Sequence, residues 1–307
     1  MNAISLSQVV KRYGKQLALN GLSLTVPKGA ICALIGPNGC GKTTTMGVVA
    51  GLLRTEAGTA DILGLGPFNA KRHASRVSLM PQDAIPSLHV SIVECLRYYA
   101  ELQGMAPDVA QKEANHWLEK VQLSDRKTAR FDQLSHGMRR RFSVAQAFLG
   151  HPDLILLDEP TSGLDPELVV QIRELILRQR GEATLLVSSH ILSELETMCD
   201  YAIFMEQGRV IRQGSMAELT SVGSVVRYTL SRLPDMRAIE LSMQGCTLQW
   251  QAPTLTIRAP RSQSVEETNA RCLHLLLEQS VGILEVSTGQ SLEAAYMNLK
   301  ANHQPRA

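Results

Sequence analysis

Aromatic residues make up only 4% of this chain of 307 residues, and its six cysteines stand far apart, at positions 32, 40, 95, 199, 246 and 272. No two of them have the C-x-x-C spacing of a metal or redox site, and scattered thiols of this kind suit a reducing compartment, where free cysteine behaves as a small apolar residue. Charge of one sign is scarce as well. The 31 basic and 29 acidic residues leave a net charge of +2, so no polyanion-binding footprint shows at the level of the whole chain and no nucleic-acid partner is expected. No apolar run approaches the roughly 20 residues of a membrane-spanning helix. The N-terminal MNAISLSQVVKRYG lacks a basic start followed by an apolar stretch, so a signal peptide is not expected either. His73, His89, His116 and His151 have no ligand-spaced companions and read as surface or core residues.

What the chain does have is 44% hydrophobic content, enough to bury the core of one large domain plus something smaller without staples. Its most informative stretch is Gly36 to Thr44, GPNGCGKTT. An apolar run, Ala30 to Ile35, precedes it and a segment of helical character, Met46 to Leu53, follows. A buried strand, a glycine-rich turn and a helix are the context in which G-x-x-x-x-G-K-[ST] signals a phosphate loop. The backbone N–H groups of Gly36, Pro37 to Gly39, Cys40 and Gly41, proline excepted, can curl around an anion, and the new helix points its positive end at the same place. Lys42 is then expected to reach the β- and γ-phosphates, and Thr43, next to Thr44, to hold Mg²⁺ through its hydroxyl. Asn38 and Cys40 complete the loop. Cys40 is expected to be alkylated with loss of activity and to be protected by the bound nucleotide.

A second strand answers the first. Leu154 to Leu157 is too short an apolar run for a helix, and Asp158 and Glu159 follow it at the C-terminal strand end, where α/β sheets place ligands. Asp158 is expected to bind Mg²⁺ directly or through water, and Glu159 to take a proton from an attacking water. Thr184 to Ser189 is another buried strand, and it ends at His190. His190 either donates to a phosphate oxygen or caps the helix expected over 191–199. Ser162 to Pro166 is a tight turn. Leu134 to Arg141, LSHGMRRR, opens a helix with Ser135 as N-cap, and Gly137 lets another group approach the helix end closely. Arg139, Arg140 and Arg141 read as a solvated helix face, yet a capped helix start with a glycine is also a second anion site.

In chain order, Ile4 to Val10 and Leu19 to Val26 read as an antiparallel sheet, with Tyr13 either a half-buried strand aromatic or a base stacker. Strands are expected near 58–64 and 76–80, the latter ending at Pro81-Gln82, and residues 83 to 150 as mostly helical, with helices at 91–103 and 109–121. Tyr201 to Met205 and Arg209 to Gln213 form a hairpin. After residue 222 the pattern changes to strands near 224–231, 246–251, 254–259 and 282–286 with helices at 263–278 and 291–300, an α+β order that suggests a ferredoxin-like fold.

Over residues 1 to 220 these features together resemble the nucleotide-binding subunit of an ATP-binding-cassette (ABC) transporter. GPNGCGKTT resembles Walker A, Gln82 the Q-loop glutamine, LSHGM the signature, LILLDEP Walker B, Ser162 to Asp165 the D-loop and His190 the switch histidine. MRRRFSVAQAFL, SSHILSELETMCD and SLEAAYMNL further resemble the bacterial exporter branch. The resemblance implies an α/β fold: a P-loop NTPase (RecA-like) core with an antiparallel β subdomain and a helical signature subdomain (about 83–150) in residues 1–222. Residues 223–307 would form a small accessory domain. It also implies ATP hydrolysis with Mg²⁺, contributions from Gln82, Lys42, Glu159 and His190, and a head-to-tail dimer in which Ser135, Gly137 and Asp165 meet ATP held by the other subunit. His136 and Met138 depart from the commoner glycine and glutamine. A separate membrane permease would dock on the helical subdomain, with Ile85, Leu88, Val90, Tyr98 and Tyr99 as groove candidates, placing the protein at the cytoplasmic face of the cell membrane. The alternative is a soluble ABC ATPase acting on ribosomes or DNA, but a single cassette without heptads or paired cysteines does not fit the known types.

Overall fold

The computed structural model describes residues 1–82, 89–220, 225–260, 263–289 and 291–303. The chain forms two compact units, Met1–Gly214 and Ser215–Ala307. In the first, two long strands, β1 (Asn2–Tyr13) and β2 (Gln16–Pro27), pair antiparallel across a two-residue turn whose Gly14 has a φ of +59°. Leu22, Leu24 and Val26 alternate toward the core while their neighbours face outward, the period-two pattern of a one-sided sheet. β3 (Ile31–Ile35) leaves this sheet and is buried along its whole length, and α1 (Lys42–Val49) follows the glycine-rich loop. β4 (Ala57–Ile62) returns to pair with β1, giving a three-stranded antiparallel sheet in the order β2-β1-β4. Through α2 (Ala70–His73) the chain then reaches β5 (Val77–Met80).

Residues 92 to 148 carry three α-helices and two short 3-10 turns. In α3 (Ile92–Leu102) Ser91 caps the start and Glu94 reaches back in a reciprocal capping box. α4 (Pro107–Lys120) opens on proline, and α5 (His136–Phe148) opens on the Ser135 cap. Trp117 of α4 stacks on Phe148 of α5 with centroids 5.3 Å apart, and its indole N–H donates to Glu113 at 2.8 Å. Such a pair buries a large apolar surface while satisfying the polar tip. Of the groove candidates, Val90 and Tyr98 are exposed and Tyr99 is partly covered, while Ile85 and Leu88 lie outside the described residues.

β6 (Leu154–Asp158), α6 (Pro166–Leu177), β7 (Thr184–Ser188), α7 (Leu192–Met198), β8 (Tyr201–Glu206) and β9 (Arg209–Ser215) complete the unit. The six-stranded sheet runs β5-β6-β7-β3-β8-β9. ICALI, LILLD and TLLVS are buried at every position, as strands covered on both faces must be. Parallel pairing of β6 with β7 and of β7 with β3 brings the C-terminal ends of all three to one edge, with Asp158 directly opposite Ser188.

The second unit begins with α8 (Met216–Leu219), one short helix ahead of the boundary read from the pattern change at 222; α8 packs on the last helix of this unit. β10 (Val225–Leu230), α9 (Met236–Ser242), β11 (Thr247–Gln251), β12 (Thr254–Arg258), α10 (Val265–Glu278) and β13 (Ile283–Thr288) follow, then α11 (Leu292–His303). The sheet is antiparallel, ordered β11-β12-β10-β13. Its core holds Val226, Tyr228, Leu255 and Ile257 against Ile239, Cys272 and Leu276, and the Tyr228 hydroxyl donates to Asn269 at 2.8 Å. α9 was not among the expected elements. Its signal is Asp235, whose carboxylate accepts from the Arg237 and Ala238 N–H groups. Because each unit has its own core, a chain lacking residues 215–307 is expected to melt cooperatively and to bind ATP within about threefold of the full chain, as a domain able to fold alone should. Isothermal titration with ATP checks this, and loss of binding would contradict it.

Candidate nucleotide site

The loop between β3 and α1 is held from below. A Cβ at Gly36 would collide with the Met205 carbonyl and the Cys40 thiol, so only glycine lets the chain leave β3 this close to the end of β8. Cys40 is only 3% exposed and turns its thiol into that packing. Burial pushes the thiol's pKa up, against a smaller opposing pull from Lys42. Lys42 is itself buried, and its ammonium donates to the carbonyls of Gly36 at 2.8 Å and Pro37 at 3.2 Å. No side chain caps α1 at Gly41; the Lys42 N–H points to the Cys40 thiol, and the N–H groups of Thr43 and Thr44 have no backbone acceptor among the described residues outside the helix. Unspent donors at a helix start, beside a lysine with a third N–H to give, suit the phosphates of a nucleotide.

Across from the loop stands Asp158, 2% exposed. Its Oδ2 accepts from the Thr43 hydroxyl at 2.6 Å and its Oδ1 from the Ser188 hydroxyl at 2.5 Å. A carboxylate, a threonine hydroxyl and the nearby amide of Gln82 are hard oxygen donors. Among the described residues no cluster of three or more histidine, cysteine or acidic side chains could hold a metal alone. This donor set fits Mg²⁺, which takes one or two carboxylate oxygens and fills the rest of its shell from phosphates and water.

Glu159 sits in the left-handed region with φ +53°. A non-glycine residue pays on the order of 1–3 kcal/mol for such a conformation, which persists only where the surroundings over-determine it. Here its N–H donates to both the carbonyl (3.2 Å) and the hydroxyl (3.0 Å) of Ser188, while its carbonyl accepts from Arg140. His190 does not cap the following helix: Ile191 is the N-cap and receives no side-chain cap, and the Ile191 N–H donates to the Ser189 hydroxyl. Instead the Nδ1 of His190 lies 3.6 Å from the Glu159 carboxylate, with the histidine largely exposed and the glutamate largely covered.

These groups converge on one cavity of about 580 Å³. The loop contributes Asn38, Gly39, Gly41, Lys42, Thr43 and Thr44 to its wall, and Gln82, Asp158, Glu159 and His190 face them. Tyr13, half exposed, closes one end together with Gln16 and Ala18 from β2, and the Lys11 ammonium lies 5.6 Å from the Tyr13 ring centre. Gly36, Pro37 and Cys40 form the loop's support and not the cavity wall. Ser135, Gly137 and Asp165 are not in the wall either. They lie at the starts of α5 and α6, where Ser135 accepts from Met138 N–H and Asp165 from Leu168 N–H. Gly163 joins the two turns: a Cβ there would fall 2.9 Å from the His136 ring.

The arginine run departs from its expected solvated face. Arg140 is 5% exposed and donates to the carbonyls of Gln82, Asp158 and Glu159. Arg139 donates to Asp132 O, and Arg141 to Val121 O and Gln122 O. Ser188, Arg140, Gln16 and Ala18 are site residues that sequence reasoning missed. Only Ser188 had a legible signal, standing at the end of a buried strand beside the acidic one.

A family model described as "ABC transporter" matches residues 19–162. The chain is 36% identical over 217 residues to the Nod factor export ATP-binding protein I of Burkholderia lata, covering 69% of this chain and 70% of that one. The chain belongs to the ATP-binding subunits of ABC transporters. It is also 30% identical over 248 residues to the uncharacterized ABC transporter ATP-binding protein YhaQ of Bacillus subtilis, covering 80% and 82% of the two chains. A solved ATP-binding subunit of an ABC transporter superposes with a TM-score of 0.65 at 26% identity, over 71% of this chain and 92% of the other. As a member of this family the protein is an ATPase, and the nucleotide is ATP.

The buried Cys40 changes the labelling expectation. Because burial raises the thiol's pKa, iodoacetamide should modify Cys40 more slowly than a free thiol and faster as the pH is raised. Peptide mass spectrometry after timed labelling measures this; rapid, pH-independent modification at pH 7 would contradict it.

Proposed function

We propose that this subunit hydrolyses ATP between two copies of the cassette and thereby drives export through a separate membrane permease. The observation that carries the reading is the continuous chain of hydrogen bonds Thr43–Asp158–Ser188, which sets the loop, Glu159 and His190 around one cavity. The free N–H groups of α1 and the Lys42 ammonium would receive the β- and γ-phosphates, and Tyr13 would stack on the base. Thr43, Asp158 and Gln82 would hold Mg²⁺, which when bound neutralises charge on the phosphate oxygens. Glu159, aimed into the cavity by its backbone, takes a proton from the attacking water as it adds to the γ-phosphorus and ADP leaves; His190 donates to the γ-phosphate.

Ser135 and Gly137 stand outside this cavity at a capped helix start, and Asp165 stands near them, so their phosphate contacts require a second copy arranged head to tail. Opening and closing that pair would move a permease seated on the helical subdomain, where Val90, Tyr98 and Leu102 are exposed. Among the described residues no helix is long and apolar enough to cross a membrane, which agrees with peripheral attachment at the cytoplasmic face through such a partner. The direction is taken from the relatives named for export. The β-α-β-β-α-β order after α8 supports a ferredoxin-like accessory domain over residues 215–307.

The Glu159→Gln subunit is expected to bind ATP normally while hydrolysis falls about 10²–10⁴-fold, the share of a positioned base. Tagged and purified from solubilised membranes with ATP, it should bring down a multi-spanning membrane protein in stoichiometric amount. Near-normal turnover would remove Glu159 from its role, and recovery of ribosomal proteins or DNA without a membrane protein would overturn the transport reading.

A further inference from the structure

Arg140 is a buried cation in the middle of α5, and its guanidinium lies against three carbonyls from two other parts of the chain. Nη1 donates to Gln82 O at 2.6 Å, and Nη2 to Asp158 O at 2.9 Å and to Glu159 O. The last two carbonyls are not interchangeable neighbours. The Asp158 carbonyl belongs to the peptide plane that sets φ of Glu159, and the Glu159 carbonyl to the plane that sets its ψ. One nitrogen therefore grips both planes around a residue held at φ +53°.

The first plane has a second anchor, since its N–H donates to Ser188. The second plane has none of that kind: residue 160 is proline and brings no N–H. Its carbonyl is the plane's one strong hydrogen-bonding group, and Arg140 occupies it. A planar fork is suited to this task, because it reaches several acceptors at fixed angles where an ammonium presents a point charge. The same fork holds the backbone of Gln82, which lines the same cavity as Glu159.

We propose that Arg140 is a positioning residue that fixes the Glu159 backbone and ties it, with Gln82, to α5. This rests on the reading of Glu159 as the base. Five positions before Arg140, Ser135 opens the same helix. Any displacement of α5 is thus passed to the peptide planes on either side of Glu159, so the base is in place only when the helix start is seated.

The test is steady-state ATP hydrolysis by the full chain carrying Arg140→Met, Arg140→Lys or Glu159→Gln, with the Arg140→Met/Glu159→Gln double variant. Arg140→Met should lower kcat about 10- to 100-fold, as for a displaced catalytic group, while KM and the ATP dissociation constant stay within about threefold. Arg140→Lys should recover part of the loss. In the Glu159→Gln background, Arg140→Met should cost less than about threefold more, because two residues acting through one step are not additive. A folded Arg140→Met with kcat within twofold of wild type, a parallel loss of ATP affinity, or losses that multiply in the double variant would each overturn the proposal. So would failure of both the Met and Lys variants to fold, which assigns Arg140 to the core alone. Normal turnover in Glu159→Gln would instead remove the base reading; a dead Glu159→Gln beside an active Arg140→Met would remove only this inference.

Discussion

A carboxylate gripped on both oxygens by hydroxyls is the joint on which this structure turns. Asp158 is almost fully buried, and it takes one hydrogen bond from the phosphate-loop side, at Thr43, and one from the neighbouring strand, at Ser188. A buried charge without such partners would cost several kcal/mol. With them it aligns the ends of three parallel strands and fixes how far the loop stands from the acid that follows. Phosphates entering the cavity would meet donors already in place, so little of the binding free energy is spent on arranging them.

Around that joint the backbone is bent into forms that would not persist alone. Gly36 passes under the β8 end where no side chain fits, and Glu159 holds a left-handed conformation. Ser188 on one side and Arg140 on the other hold the latter. The strain and its restraints lie within one residue of the acid, as expected where a structure stores strain at a functional site. The outer parts of the first unit, the antiparallel sheet and helices α3 to α5, supply the remaining cavity wall at Tyr13 and Gln16 and the helix that carries Arg140.

Much of this was readable from residue order. ICALI, LILLD and TLLVS announce buried strands because both of their faces are covered, and the glycines and Lys42 announce the loop because only such residues make that turn. Ser91 and Glu94 mark the start of α3 through a local, reciprocal bond. What was not legible depends on chain segments that meet only after folding. Arg140 sits between two other arginines, and nothing local distinguishes the one that turns inward; its burial arises because Gln82 and Asp158 arrive from elsewhere. Gln16 and Ala18 line the cavity only because β2 passes beside it. α9 was missed since seven residues contain too little periodicity to register.

The central claim is that one copy holds only part of the site. Lys42, Thr43, Asp158 and Glu159 share a cavity, while Ser135 and Gly137 are not part of its wall in the same chain. The most direct test is light scattering on purified Glu159→Gln protein, with Mg²⁺ and either ATP or ADP. The account predicts a mass of twice 33.7 kDa with ATP and of one chain with ADP. A monomer that binds ATP stoichiometrically and stays monomeric at concentrations well above the dissociation constant would contradict it.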